Sequence, residues 1–189
     1  MQRILVAAAL TALAVPVLGA EPRYNFVEGS YASAEIDDSG GNLDGDGFGI
    51  AGSFEIGDQL HLFAGYRNFD FDFGADLDEW TAGLGWHPEL TDTTDLVFEL
   101  GYVSAEAAAF GFSASDDGFR ASLGVRSMLS PQFELAGGLN YTDVGDGDDT
   151  SISAEGWYNL NESLAIGGGA EFGNDTTIYG IGLRWYFTP

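Results

Sequence analysis

The stretch YGIGLRWYF, residues 179–187, decides the fold of this 189-residue chain. Its odd-numbered positions carry large apolar side chains, whereas the even-numbered positions carry glycine, arginine and tyrosine. Successive side chains of a β-strand point to opposite faces, so this segment has one oily face and one face that lipid would reject. A soluble barrel would put the polar face outside, and the pattern therefore predicts a transmembrane β-strand. The apolar positions are Tyr179, Ile181, Leu183, Trp185 and Phe187.

The same alternation recurs along the chain after residue 20, between segments rich in Gly, Asp, Asn and Pro. It predicts ten strands, each close to the roughly 9–11 residues that a tilted strand needs to cross a bilayer. The predicted fold is all-β, an antiparallel up-and-down transmembrane β-barrel, with eight strands as the alternative count. The predicted strands are 24–36, 47–56, 60–71, 79–87, 95–106, 117–129, 133–143, 150–159, 164–172 and 177–187.

Residues 1–20 have the form of a secretory signal peptide, which leaves 21–189 as the barrel domain. Arg3 supplies the positive end, Ile4 to Val15 supply the apolar stretch, and small residues follow Pro16. The apolar stretch is shorter than the roughly 20 residues of a spanning helix. We expect cleavage after Gly19 or Ala20, and export through the periplasm to the outer membrane of a Gram-negative bacterium.

The charge balance is strongly acidic and argues against nucleic acid as a partner. The chain has 30 Asp and Glu residues, six Arg, no Lys and no Cys, with a formal net charge of −24. Binding nucleic acid needs a basic surface, which this chain lacks. The expected partners are outer-membrane lipid, lipopolysaccharide and, during biogenesis, the barrel assembly machinery, and the expected state is a monomer.

An even strand number puts both termini at one end, the periplasmic end in barrels of this kind. The segments 57–59, 88–94, 130–132 and 160–163 are then periplasmic turns, and the mostly longer segments 37–46, 72–78, 107–116, 144–149 and 173–176 are outer loops. Aromatic residues fall near both rims, as the interfacial girdles of a barrel require. They are Phe54, Trp86, Phe133, Tyr158, Trp185 and Phe187 at the inner rim, and Phe48, Trp80, Tyr102, Phe119, Tyr141 and Tyr179 at the outer rim.

The face opposite the apolar positions carries ionisable residues, which predicts a charged lumen. Four of the five arginines after residue 20 have this parity, and arginine makes bidentate bonds to carboxylates. The pattern favours an Arg/Glu network that plugs a narrow barrel, with a charged eyelet for small ions as the alternative. The predicted network is Glu28, Glu55, Arg67, Glu99, Arg120, Arg126, Glu134, Glu155, Glu171 and Arg184, with His61 on the same face.

The two histidines argue against enzymatic activity. His61 follows the turn at 57–59 and His87 precedes the turn at 88–94, so both lie at the periplasmic end. A Ser/His/Asp site or a histidine-ligated metal at the outer rim therefore has no histidine available. We expect no catalytic residues and no bound cofactor.

Acidic residues crowd the first and fourth outer loops. Ca²⁺ prefers six to eight oxygen ligands of this kind, yet neither loop has the spaced pattern of a strong calcium loop. The sequence predicts solvated loops that bind Ca²⁺ or Mg²⁺ loosely at most, with bridging to lipopolysaccharide phosphates as the expected form of such binding. The weak candidate ligands are Asp37, Asp38, Asp44, Asp46, Asp143, Asp146, Asp148 and Asp149.

Several short patterns resemble the small outer-membrane β-barrel proteins of xanthomonads and related gammaproteobacteria. They are the start Tyr24–Tyr31, the strand opening Asp46–Gly49, the strand Leu62–Tyr66 and the aromatic C-terminal strand. The resemblance implies the fold and the location, and it supplies no catalytic residues. It also implies that 179–187 serves as the assembly signal, with Thr188 and Pro189 as a departure from the usual terminal Phe.

The sequence as a whole indicates a structural or surface-interaction protein, with envelope integrity, adhesion or host contact through acidic outer loops as its work. A narrow porin-like channel is the first alternative. A lipid- or peptide-modifying barrel enzyme is the second.

Overall fold

A computed structural model describes residues 20–38 and 41–187 of the chain. The predicted signal peptide, apart from Ala20, lies outside these residues, as do Thr188 and Pro189. The boundary between signal and barrel therefore stays a prediction. No described helix is long and apolar enough to cross a membrane.

The described chain forms ten long strands and one short one. The short strand β5 lies in the connection between β4 and β6, and a 3-10 turn at Asp72–Gly74 joins β3 to β4. The strands are β1 Phe26–Asp38, β2 Gly41–Gly57, β3 Leu60–Phe71, β4 Ala75–Trp86, β5 Glu89–Thr91, β6 Thr94–Ala109, β7 Phe112–Ser130, β8 Phe133–Val144, β9 Gly147–Asn159, β10 Leu164–Phe172 and β11 Thr176–Tyr186.

The ten long strands close into an antiparallel barrel. Each pairs with the strand before and after it, β4 pairs directly with β6, and β1 pairs with β11 from Phe26↔Tyr186 to Ile36↔Thr176. The closed ladder satisfies the backbone polar groups without an open edge in the lipid. The prediction of a ten-stranded antiparallel barrel is confirmed, and the alternative of eight strands is wrong.

Side chains alternate between lipid and lumen along each strand, as the period-2 pattern requires. On β11, Ile181 is 69% exposed to the surroundings of the barrel, whereas Arg184 is 5% exposed. Outward aromatic residues pack together near both rims, for example Tyr66 with Trp80 (ring centroids 4.5 Å apart) and Trp86 with Phe98 (5.4 Å). The outer surface is thus an apolar band between two aromatic rims.

The prediction of long outer loops is wrong, because most of those residues extend the strands. Strand β2 begins at Gly41, β6 runs to Ala109, β7 begins at Phe112, and β9 begins at Gly147. The outer connections that the structure describes shrink to tight turns such as Phe110–Gly111. Once two strands are paired in the membrane, their ladder can continue into water, and these segments contain no proline to interrupt it. The acidic residues therefore lie on raised hairpins, not in flexible loops.

Candidate functional site

The lumen contains Arg/Glu ion pairs, arranged in two layers. The inner layer, near the periplasmic end, centres on Glu134, which accepts hydrogen bonds from Arg126 Nη2 (2.6 Å) and from Arg184 Nη1 (3.4 Å). Arg184 Nη2 also donates to Glu28 at 2.8 Å and lies 3.5 Å from Glu155. Glu134 is 1% exposed, and the side chains of Arg126 and Arg184 are 12% and 6% exposed, so these ion pairs are largely buried.

The outer layer is built from β3, β4, β7 and β10. Arg120 Nη2 donates to Glu171 at 2.7 Å, and Arg67 Nη2 donates to Glu79 at 2.9 Å. Arg67 Nη1 also lies 3.9 Å from Glu171. Glu171 therefore bridges the two arginines, and its other contact is the Ser151 hydroxyl, which donates to it.

The structure brings eight of the ten predicted network residues into these ion pairs. The remaining two are bound by other groups. Glu55 accepts a hydrogen bond from Asn25 Nδ2 (2.5 Å), and Glu99 lies 3.0 Å from His61 Nε2. Glu79 is not among the predicted network residues. The sequence contains a signal for it, because Glu79 alternates in step with the lumenal glycines of β4 and out of step with the outward Trp80.

Cavities lie along the lumen of the described barrel, and three of them adjoin the charge layers. The largest, of about 440 Å³, extends from Tyr24 and Arg126 at one end to Arg67 and Arg120 at the other. A cavity of about 170 Å³ lies on the outer side, lined by Ile36, Phe69, Phe71, Leu77 and Ile178. Arg67, Arg120 and Glu171 line both of these cavities, so the outer charge layer separates them. The third cavity, of about 230 Å³, also shares Arg67 and Glu171.

The segment Arg23–Asn25, which precedes β1, lies at the periplasmic end of the lumen. The Tyr24 side chain enters the barrel and is 2% exposed. Its hydroxyl donates to Asp95 Oδ2 at 2.9 Å, and its ring stacks on His87 with centroids 3.7 Å apart. The Arg126 guanidinium lies 4.4 Å from the same ring. Tyr24 therefore fills the inner end of the largest cavity.

The two residues beside Tyr24 tie the segment to the barrel wall. Arg23 donates to Asn159 Oδ1 (3.0 Å) and to the Glu162 carbonyl, and its guanidinium lies 3.6 Å from the Tyr186 ring. Asn25 bonds reciprocally with Glu55, accepting from the Glu55 N–H at 2.9 Å. The segment is thus bound to three parts of the barrel wall: Asn25 binds β2, Tyr24 binds β6 through Asp95, and Arg23 binds the β9–β10 turn. We call Arg23–Asn25 the N-terminal cap.

Both histidines lie buried under this cap. Burial lowers the pKa of His87 to about 4, and the neighbouring His61 and Arg126 act in the same direction. Burial also raises the pKa of the Tyr24 hydroxyl, so it stays protonated and donates to Asp95. Neither imidazole reaches the outer rim, where a barrel enzyme would meet its substrate.

We expect His87 to make the barrel less stable in mild acid. Because its folded-state pKa of about 4 lies below the ordinary value of 6.5, the unfolded chain binds more protons between these values. The free energy of unfolding should therefore fall as the pH drops from about 6.5 to about 4. Urea unfolding across this range, compared with His87→Gln, measures the effect. Parallel profiles for the two proteins would contradict it.

The predicted acidic ligands whose side chains the structure describes do not gather into a metal site. Asp143 and Asp148 are cross-strand partners on β8 and β9, whereas Asp44 and Asp46 lie along β2, opposite Glu35 and Ser33. Asp37 lies near the end of β1, and Asp146 lies in the β8–β9 turn. Asp149 accepts a hydrogen bond from the Asn174 N–H at 3.0 Å. The side chain of Asp38 is outside the described residues. Within 20–38 and 41–187, no group of three or more His, Asp or Glu side chains is arranged to hold a metal ion.

A closed ten-stranded barrel with an apolar outer band and a charged lumen is an integral outer-membrane protein. Residues 5–158 match the family described as the outer membrane protein beta-barrel domain, and the chain belongs to this family. It is thus a protein of the Gram-negative outer membrane. No curated protein is significantly similar to the chain. The comparisons support this family and give no support to the narrower assignment to xanthomonad proteins.

Solved barrels share the fold at low sequence identity. The KdgM porin in complex with disordered oligogalacturonate is 10% identical with a TM-score of 0.53, covering 86% of this chain and 99% of that chain. Neisserial surface protein A is 13% identical with a TM-score of 0.50, covering 86% and 96%. The beta domain of the Bordetella autotransporter BrkA is 12% identical with a TM-score of 0.51, covering 87% and 100%. At these identities the likeness shows the fold alone.

Proposed function

We propose that the protein is a closed outer-membrane barrel whose work is structural or is done by its raised outer hairpins. The observation that carries this proposal is the N-terminal cap. The cap places Tyr24 in the lumen, and its three residues are bound to different parts of the barrel wall. Behind the cap, Glu134 joins two arginines across the lumen, and a second charge layer lies farther out. Such a barrel is closed at one end, and two layers of ion pairs cross its lumen. It is therefore suited to act as a rigid platform.

Planar-bilayer recording tests the closed state. We expect no steady single-channel steps from the intact protein, and clear steps from a variant lacking residues 21–25, because the deletion opens the inner end of the cavity of about 440 Å³. The matched control is Tyr24→Phe, which keeps the stacked ring and loses only the hydroxyl bond to Asp95. It should stay closed.

Heat-modifiable migration on a denaturing gel confirms that each variant is a folded barrel before recording. Steady steps from the intact protein would overturn the proposal. Failure of the deletion to conduct would show that the charge layers, and not the cap, close the lumen.

A narrow channel is the second candidate, favoured by the size of the largest cavity. The lining of that cavity contains five glutamates and four arginines. A lumen with this balance would select small cations over anions. The KdgM porin was solved with an acidic oligosaccharide, and this chain offers such a ligand no excess of positive charge. Reversal potentials in a salt gradient distinguish a cation-selective channel from an anion-selective one.

A lipid- or peptide-modifying activity has the least support, because both histidines are buried beneath the cap. For the outer hairpins we propose loose binding of Ca²⁺ or Mg²⁺, bridging their carboxylates to lipopolysaccharide phosphates. For biogenesis we propose that the assembly machinery reads the outward apolar side chains of β11. The barrel is proposed to act as a monomer in the lipid.

A further inference from the structure

The outer wall of the barrel has a step between β7 and β8. Strand β6 pairs with β4 up to Ala75↔Ala109, and it pairs with β7 up to Ala109↔Phe112. The pairing of β7 with β8, in contrast, begins only at Gly118↔Val144. Residues Phe112–Asp117 therefore have β6 on one side and no strand of the described chain on the other. At about 3.3 Å per residue, this open edge is roughly 20 Å long. We call Phe112–Asp117 the open edge.

The odd-numbered residues of the open edge direct their backbone N–H and C=O groups away from β6 into solvent. The last contact on that side is the Gly145 N–H, which donates to the Asp117 carbonyl oxygen at 3.3 Å. Residues of the same parity direct their N–H and C=O groups to the same side of a strand. Ser113 and Ser115 thus present donors and acceptors that have no partner within residues 20–38 and 41–187, and every residue of the open edge is exposed.

The tip of the open edge, Phe112–Ser115, lacks the usual protection against pairing. Natural edge strands carry charged side chains, especially Lys, or Pro, are very short, or contain a bulge. Phe112–Ser115 contains no charge and no proline, and its serines and alanine leave the backbone accessible. Phe112 at one end is 82% exposed, and Phe110 in the adjacent turn is 81% exposed with a φ of 53° that favours glycine. Aromatic rings held in solvent next to a bare edge mark a binding surface.

The negative charge of the open edge and of the whole chain indicates which kind of partner can pair with this edge. Asp116 and Asp117 lie at the base of the open edge, and the chain carries a formal net charge of −24. In two copies of the barrel in one membrane, β7 runs in the same direction, from the outer end toward the lipid. Their open edges would therefore pair in parallel, with the aspartates of one copy beside those of the other. Repulsion between these carboxylates disfavours a second copy. A partner with apolar side chains beside Phe112 and Ala114 and basic side chains beside the aspartates is complementary.

We propose that the open edge binds an extended, basic segment of another protein by adding it as a strand to the outer wall. The backbone of Ser113 and Ser115 provides the hydrogen bonds, Phe110 and Phe112 provide an apolar anchor, and Asp116 and Asp117 set the preference for Lys or Arg. This inference deepens the proposed surface role and rests on it. It assigns that role to six residues.

Fluorescence anisotropy with a labelled peptide tests the inference on the intact protein in detergent. The probe is the blocked peptide Lys-Lys-Thr-Val-Thr-Val, which places both lysines beside the aspartates in antiparallel pairing. We expect Ser115→Pro to weaken binding at least tenfold, because proline removes the donor on the open side and leaves the bonds to β6 intact. The control Ser115→Ala keeps the backbone donor and should bind like the unmodified protein.

Peptide controls keep the inference testable even if Ser115→Pro fails to fold. On the intact protein, backbone N-methylation at alternate residues and replacement of both lysines by glutamates should each weaken binding at least tenfold. No binding of the basic peptide, or equal binding of the N-methylated one, overturns strand addition. Cross-linking between copies that requires the open edge would overturn the assigned partner. Conductance by the intact protein would refute only the closed barrel, since the peptide assay reads the hairpin independently.

Discussion

Replacing Glu134 with glutamine is expected to lower the free energy of unfolding by about 3–5 kcal/mol, the usual cost of removing one partner from a buried ion pair. Glu134 is 1% exposed and lies within 2.6 Å of Arg126 and 3.4 Å of Arg184. Glutamine keeps the shape and an acceptor oxygen but loses the charge. Arg126 then has no other carboxylate bonded to it among the described residues, whereas Arg184 keeps Glu28. Urea unfolding in lipid vesicles measures the loss.

Glu155→Gln is the matched control in the same layer. The Glu155 side chain is 44% exposed and its oxygen lies 3.5 Å from Arg184, so water screens the pair. Such pairs contribute about 0–1 kcal/mol, and the control should stay near the unmodified protein. The double variant Glu134→Gln, Arg126→Gln removes both charges and should recover part of the loss. Equal unfolding midpoints for Glu134→Gln and Glu155→Gln would contradict the assigned role of Glu134.

The barrel itself was predictable because membrane strands obey two simple constraints. Every backbone polar group in the lipid must be paired, and side chains alternate strictly between two environments. The parity of Tyr179 to Phe187 therefore sufficed to separate the lipid face of β11 from Arg184. The same rule, applied to Trp80 and the glycines of β4, would have added Glu79 to the lumenal residues.

The position of the N-terminal cap was not predictable by the same rule. Tyr24 precedes β1, and its position depends on bonds to Asp95 and on stacking against His87, both distant in sequence. Periodicity reports which face a strand residue occupies. It carries no information on where a short segment outside the ladder will pack.

The outer hairpins were misjudged for a different reason. Composition rich in Gly, Asp and Ala is typical of loops, yet a ladder already formed in the membrane can extend through such residues. The pairing of β6 with β7 continues to Ala109↔Phe112 through an alanine-rich stretch with no proline. Local propensity was overridden by strand pairing, and the step that leaves the open edge depends on where β8 turns at Gly145, which has a φ of 62°.

Replacing Leu183 with arginine should lower the stability of the folded barrel by about 2–4 kcal/mol, the depth-dependent cost of arginine on the lipid face near the bilayer midplane. Leu183 lies on β11 between the outer-rim Tyr179 and the inner-rim Trp185, and it is 53% exposed on the surface of the barrel. In water an exposed leucine tolerates this change. In lipid the guanidinium must be drawn toward the interface or pull water inward, and both disturb the bilayer.

Leu160→Arg is the control that distinguishes water from lipid. Leu160 is also 53% exposed, but it lies in the turn between β9 and β10. Equal exposure gives the two leucines equal contact with the surroundings, so a difference between the variants reports what those surroundings are. We expect Leu160→Arg to refold with normal yield and heat-modifiable migration, and Leu183→Arg to lose yield and unfold at lower urea concentration. Equal behaviour of the two variants would contradict the placement of Leu183 in the membrane, and with it the division of β11 into a lipid face and a lumenal face.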